Sequence, residues 1–344
     1  MRAVLIILSV VILAVLARVA WIMLPASGWM QNLEPRLAAQ CTRVDIHPGT
    51  EDVTIDPETG VVYVSAYDRR DASGPAGGIY AFRLDQLTPQ LVSDDAPAGF
   101  RPHGISLWRG ADGTARLFAI SHPTDGSEVV EIFDVVPDGL SHVGSVSFPE
   151  MYSPNDLVAV GPEQFYATND QSLEEGVMSQ LEIYLGLPLT GVVYWDGESG
   201  RDVAGGLLYA NGINASAEGS TIYVASFLGR RIAVYERNAE TGDLQHVGDL
   251  AVDTNPDNIE VARDGSLYIG GHPRPFEFLA HAADPAQVAP AHVIRLDPQT
   301  GASEDVLVAL DGTLSGSSVG AVYDGTLVVG AVFDGHVLVC PLGQ

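Results

Sequence analysis

Positive charge is what this chain has least of: 17 Lys and Arg stand against 44 Asp and Glu, for a formal net charge of −27. Nucleic acid is thereby excluded as a partner, because binding phosphates takes Lys and Arg to displace their counterions. An acidic surface keeps a protein soluble, and the same carboxylates can gather around a cation. Cysteine is almost absent as well. The two present, Cys41 and Cys340, stand one at each border of the folded part. They read either as a single disulfide in an oxidising compartment or as two unrelated buried thiols. A bridge closing so long a loop would stabilise the fold by roughly 5 kcal/mol in the chain-entropy picture. Several enzyme signatures are missing too. No Gly-x-Ser-x-Gly string turns from a strand into a helix, so a serine hydrolase is unsupported. No glycine-rich fingerprint joins a strand to a helix and no Walker loop occurs, so nucleotide binding has nothing to rest on.

One long apolar run breaks the pattern, at the N-terminus. Residues 3–17 are apolar apart from Ser9, follow Arg2, and are interrupted by Arg18 before 19–24 resume. A run of 15 residues fits a signal-peptide core and is short for a membrane span. Extended across Arg18 it reaches 22 residues, enough to span if that arginine snorkels. We read residues 1–30 as an uncleaved anchor rather than a removed signal, and 38–344 as the folded domain. Either reading places the domain outside the cytoplasm, periplasmic or extracellular.

Within that domain a turn followed by a short apolar strand recurs six times, at 56–65, 110–121, 160–168, 216–226, 262–270 and 322–330. Asp-Gly and Glu-Gly between β-rich runs are hairpin signals, because such turns need positive φ. The markers Val62, Leu117, Phe165, Ile222, Leu267 and Leu327 are spaced 45 to 60 residues apart. Four short strands with their loops fill such a span, the size of a propeller blade. Helical periodicity is weak except at 172–187. The predicted fold is all-β, a six-bladed β-propeller behind an N-terminal hydrophobic helix.

Ahead of each marker a polar pair enters a strand: Glu51 and Asp52, His103 and Gly104, Asn155 and Asp156, Asn211 and Gly212, Asp257 and Asn258, Ser317 and Ser318. The first strand of every propeller blade lines the central channel, so these pairs converge on the axis. Carboxylate and amide oxygens in such numbers suit Ca²⁺, whereas Zn²⁺ or Cu²⁺ would want several His or Cys, and Mg²⁺ resists full dehydration. The plainer alternative is that Asn and Asp cap turns and strand starts here. A Ca²⁺ with an open position polarises a carbonyl, and histidine has the pKa of a base for water. His103 is the one histidine among the ring positions. His122 ends the next strand of the same blade, and His272 holds the matching place in the fifth; a histidine at a strand end can equally be structural.

The run from Ser153 to Asp170, with Arg-Pro-His103-Gly, Ala-Asn211-Gly-Ile, Glu51-Asp52, Asp257-Asn258-Ile, Gly-His272-Pro and the stretch 182–194, resembles the serum paraoxonase/arylesterase family from about Cys41 to Cys340. The resemblance implies two calcium ions in the tunnel. Glu51, Asn155, Asn211, Asp257 and Asn258 would hold a catalytic ion; Asp52, Asp156 and the Ile105 carbonyl a structural one. His103 and His122 would form the dyad that activates water, and Cys41 and Cys340 the closing disulfide. The family's retained N-terminal segment favours the anchor reading. The segment 181–187 would be a lid helix touching membrane or lipid, with Tyr67, Tyr184 and His272 expected at the substrate pocket. The implied activity is hydrolysis of hydrophobic lactones and aryl esters, with organophosphates as a side activity. The alternatives are a strictosidine-synthase-like propeller enzyme using a Glu base, and a non-enzymatic propeller with structural calcium. Gln171, where the family has His, and the loops 68–78 and 274–283 depart from the family pattern and bear on substrate range.

Overall fold

The computed structural model describes residues 2–71, 73–173 and 176–343. Glu174 and Glu175 of the predicted helical stretch, Ala72 of one departing loop, and the end positions Met1 and Gln344 of the two predicted units lie outside the described residues. Among the described residues, 24 strands form six four-stranded sheets, each antiparallel throughout. All six markers fall on the second strand of their blade, such as Val61–Ala66 and Ala115–Ser121, buried almost end to end. These runs are continuously apolar because each is covered on both faces by neighbouring blades. Phe118 and Ile120 of the second blade, for instance, pack with Leu157, Phe165 and Val193 of the third. The tight turns behave as their sequences require, with Gly265 of an Asp-Gly pair at φ +82°.

The first strands of the blades, Asp52–Ile55, Pro102–Arg109, Pro154–Ala159, Ala210–Ala215, Pro256–Val261 and Ser317–Tyr323, touch their neighbours in turn all the way round the axis. In five of the six, the register against the second strand shifts at the polar pair, as between Pro154 and Leu157 or Pro256 and Ile259. A bulge there lifts two consecutive residues out of strict alternation, so both members of a pair can face the axis. Glycine is needed where the strands crowd: a Cβ on Gly104 would lie 2.5 Å from Asp156 Oδ1, and one on Gly212 2.3 Å from the Asp257 carbonyl. The ring is closed by chain termini. Thr42–Asp45 adds the outer strand of the last blade, paired with His336–Pro341, and Cys41 is bonded to Cys340 beside that pairing.

Three helices cap one end of the tunnel: α1 (Arg2–Ala26), α2 (Val177–Leu185) and α3 (Pro275–Ala283). The third was not legible in the sequence, where 274–283 read as a loop. It is nine residues with Pro275 at its start and Glu277 in its first turn, too short for a periodicity signal to accumulate. Arg18 is also placed differently from expectation. Instead of snorkelling, its Nε and Nη2 donate to the carbonyls of Leu185 (2.9 Å) and Gly186 (2.7 Å) at the C-terminus of α2, where a cation complements the exposed carbonyls. Ile22 packs on Gly186, and Arg230 donates to the Pro25 carbonyl. The end of α1 is therefore part of the globular body, and only the run before Arg18 projects from it.

Candidate active site

Beneath the helices lies a cavity of about 400 Å³. Its floor is made by Glu51, Arg69, His103, Asn155, Asp170, Asn211 and Asp257. Its walls are apolar and come from all three helices and the tops of several blades, with Met23, Ile183, Tyr184, Phe227, Leu279 and Phe333 among them. Tyr184 and His272 line it as expected. Tyr67 does not; its ring lies instead under the Arg101 guanidinium, 4.9 Å away, because its strand-end position turns it toward the neighbouring blade.

The floor is polar and short of hydrogen-bond donors. Asn258 Nδ2 donates to Glu51 Oε1 at 2.9 Å, and Asn155 Nδ2 to Asp170 Oδ2 at 3.3 Å, so both amide oxygens turn inward. Glu51 Oε2, Asn155 Oδ1, Asn211 Oδ1 and Asn258 Oδ1 are all buried with no hydrogen-bond partner. Orphaned buried oxygens are costly, and four gathered together make a donor set that fits a hard cation such as Ca²⁺. Asp257 is oriented by His272, whose Nε2 lies 2.8 Å from Oδ2 while its ring stacks on Phe278. Among the described residues no three His, Cys, Asp or Glu form a metal cluster by themselves; three of the four unpartnered oxygens here are amide. The sixth pair is not a donor. Ser317 exchanges hydrogen bonds with the His292 backbone and Ser318 Oγ donates to the Glu51 carbonyl. Those serines also sit in the string Gly316-Ser-Ser-Val-Gly320, which has the spacing of a nucleophile elbow but leads into an inner strand, not a helix, with its hydroxyls spent.

Asp52 and Asp156 repeat one arrangement two blades apart. Each accepts from the next residue's amide and from the amide of an isoleucine on the neighbouring inner strand: Val53 and Ile105 for Asp52, Leu157 and Ile213 for Asp156, all at 2.7–2.8 Å. Ile105 thus meets Asp52 through its amide. Burial raises Glu51 to about 7, and pushes Asp52 and Asp156 well above the ordinary carboxylate range, each further raised by a neighbouring carboxylate. A cation between them would reverse that cost.

Beside the ring, His103 Nδ1 lies 2.9 Å from His122 Nε2, and His122 Nδ1 is hydrogen-bonded to Glu128. The tautomers follow from the partners. A carboxylate only accepts, so His122 carries its proton on Nδ1 and accepts at Nε2 from His103 Nδ1–H. The lone pair of His103 is then on Nε2, 3.7 Å from Glu51 Oε1. Burial first, then the charges of Arg69 and His122, hold His103 well below 6.5, so it stands neutral. Glu128 and Arg69 escaped sequence reading. Glu128 reaches His122 across a hairpin with no repeat equivalent, and Arg69 enters from a loop whose path the sequence does not reveal.

A profile of the arylesterase family matches residues 90–342. The chain belongs to the arylesterase family. It is similar to serum paraoxonase/arylesterase 2 of Gallus gallus, 35% identical over 329 residues and 91% of each chain. To serum paraoxonase/arylesterase 1 of Rattus norvegicus it is 37% identical over 324 residues, 88% of each chain. Among solved structures it superposes on a gluconolactonase from Xanthomonas campestris with a TM-score of 0.56 at 17% identity, covering 91% of this chain and 96% of that one. With regucalcin, a calcium-binding protein from Agrobacterium tumefaciens, the TM-score is 0.52 at 12% identity, over 90% and 95%; at those identities the likeness is one of fold. Family membership makes the chain an esterase or lactonase acting on small esters or lactones, and sets aside the non-enzymatic propeller. The disulfide and the apolar N-terminal helix fit an extracytoplasmic location.

Proposed function

We propose that this arylesterase-family member is a calcium-dependent hydrolase of hydrophobic lactones and aryl esters, with organophosphates as a side activity. The observation that carries the reading is the convergence of unpartnered buried oxygens of Glu51, Asn155 and Asn211 with a histidine lone pair on the floor of one cavity, with a fourth such oxygen on Asn258, which is bonded to Glu51. Glu51, Asn155, Asn211, Asp257 and Asn258 would hold one ion; Asp52, Asp156 and Ile105 a second, structural one. Bound there, Ca²⁺ supplies Lewis-acid polarisation of the scissile carbonyl and charge stabilisation of its oxygen.

The chain's own groups do the rest. The apolar walls exclude water and orient an acyl or aryl group. His103 Nε2 takes a proton from the attacking water as its oxygen bonds to the carbonyl carbon. His122 accepts the hydrogen bond of the resulting imidazolium and Glu128 holds His122 in the tautomer that can do so. When the ester C–O bond breaks, His103 returns the proton to the leaving oxygen, giving acid and alcohol and restoring the neutral ring.

Location is part of the reading. The apolar stretch of α1 before Arg18 covers about 22 Å at 1.5 Å per residue, short of a hydrocarbon core of about 30 Å. Exposed Tyr184 of α2 and Phe276 and Leu279 of α3 border the same cavity. The helix would enter lipid, with residues 1–30 retained and the mouth of the 38–344 domain held against the surface. Hydrolysis of phenyl acetate and of a medium-chain lactone by the full chain, with Ca²⁺ and with EDTA, tests the proposal. Activity is expected with the ion only. His103→Gln should lower kcat by about 100-fold or more while calorimetry still detects calcium; unchanged kcat in that variant would remove the base.

A further inference from the structure

The cavity floor holds one strong cation of its own. The Arg69 side chain is 16% exposed and ion-paired with Glu51, while its hydrogen bonds go to neutral groups. Nη1 donates to the carbonyls of Gly49 and Tyr67, both at 3.3 Å, and Nη2 to that of Pro102 at 3.4 Å. The nearest carboxylate oxygen, Glu51 Oε2, is 3.7 Å from Nη2, outside hydrogen-bond reach. Three carbonyls fix the position of the guanidinium, and its one close ion-pair partner, Glu51, is shared with the proposed calcium site. Arg69 lines the same floor as His103, Asn155 and Asn211, so its charge faces the place where an ester would be cleaved. A cation held by Glu51 would draw on the same carboxylate that Arg69 pairs with, leaving the guanidinium open to a second anion in the cavity.

From this geometry we infer that Arg69 is a carboxylate-binding group, which takes the carboxylate released by ester or lactone hydrolysis through Nε–H and the second Nη2–H of its planar fork. The inference rests on the hydrolytic reading above. Its consequence is that anionic products, and esters bearing a carboxylate next to the scissile bond, are held more tightly than neutral molecules of the same shape. The rest of the cavity, being apolar, recognises the hydrocarbon part and cannot tell an acid from its amide.

The test is calorimetric titration of the full chain, with calcium present, by benzoate and by its neutral analogue benzamide. Wild type is expected to bind benzoate more tightly. Arg69→Met should lower benzoate affinity by about tenfold or more, the loss of a charge-assisted pair, and leave benzamide unchanged. Arg69→Lys, which keeps the charge and loses the fork, should fall between. Benzoate affinity equal in wild type and Arg69→Met, or equal losses for benzoate and benzamide, would overturn the inference. Should the Met variant melt before titration, the Lys variant decides by the same comparison. Failure of wild type to hydrolyse phenyl acetate would sink the hydrolytic reading; hydrolysis with benzoate binding indifferent to position 69 would sink this inference alone.

Discussion

In the proposed mechanism Glu128 would act on the reacting centre through two imidazoles, and its contribution would be a matter of proton placement. Without its carboxylate, His122 is free to carry its proton on Nε2, which turns an acceptor toward His103 into a competing donor. Glu128→Gln is therefore expected to lower kcat on phenyl acetate by about tenfold or more, with KM and calcium affinity little changed. A parallel rise in KM would indicate a packing effect instead. At the ring, the sign of the pH dependence should change with calcium. In the metal-free chain, burial holds Glu51 up at about 7 and Asp52 and Asp156 well above their ordinary values. The fold then binds more protons than the unfolded chain between about pH 4.5 and 7, so stability falls as pH rises through that window. Bound calcium keeps the same carboxylates ionised in the fold, and stability is then lost as pH falls. Melting temperature followed against pH with EDTA and with Ca²⁺ should give opposite slopes; parallel curves would contradict a cation at these residues.

Among the elements, α1 carries more than an address. Met23, Ala26 and Ser27 form part of the cavity wall, and the helix is seated by Arg18 on α2, by Ile22 on Gly186 and by Arg230 on Pro25. Deleting residues 2–30 is expected to leave the propeller's circular dichroism intact and to raise KM for long-chain lactones several-fold, with a smaller change for phenyl acetate. Equal changes for both substrates would mean that the helix only tethers. Gly186 offers a finer probe of the same joint. It ends α2 at φ +55°, and a Cβ there would come within 2.7 Å of Ile22 Cγ1. Gly186→Ala should cost about 1–2 kcal/mol in thermal unfolding from the left-handed backbone alone, and shift the long-chain KM in the direction of the deletion. The projecting part of α1 and the apolar faces of α2 and α3 share one end of the molecule, so a tether there would place substrate entry at the same surface.

For the whole molecule, closure of the ring is held by two different means. Thr42–Asp45 pairs in register with the last strand, Thr42 opposite Val339 and Asp45 opposite His336, and the Cys41–Cys340 bond lies at the end of that ladder across a separation of 299 residues. A covalent tie over so long a loop acts on the unfolded chain, where it removes conformations the open chain would explore. Cys41→Ser combined with Cys340→Ser should therefore lower unfolding free energy by up to about 5 kcal/mol while leaving the folded site, and hence kcat, nearly unchanged. A large loss of kcat at a temperature where the variant remains folded would show that closure also positions the floor.

The number of blades, the strands that carry the markers and the ring of polar pairs were legible in the sequence because each is a local signal repeated. Hairpin chemistry, a run of apolar residues and a pair of polar residues at a strand start all act within a dozen positions. Repetition six times then implies an axis on which Glu51, Asn155, Asn211 and Asp257 must meet. The sequence also marked His103 and His122, since both sit at repeat positions. Only the tertiary structure decided which oxygens stand unpartnered, because that depends on where each amide spends its hydrogens, as Asn155 does on Asp170 and Asn258 on Glu51. It alone brought in Arg69, Glu128 and the end of α1, which belong to no repeat and reach the site across loops, a hairpin turn and the full length of the chain. Contacts of that kind are set by packing in three dimensions, and periodicity along the chain carries no record of them.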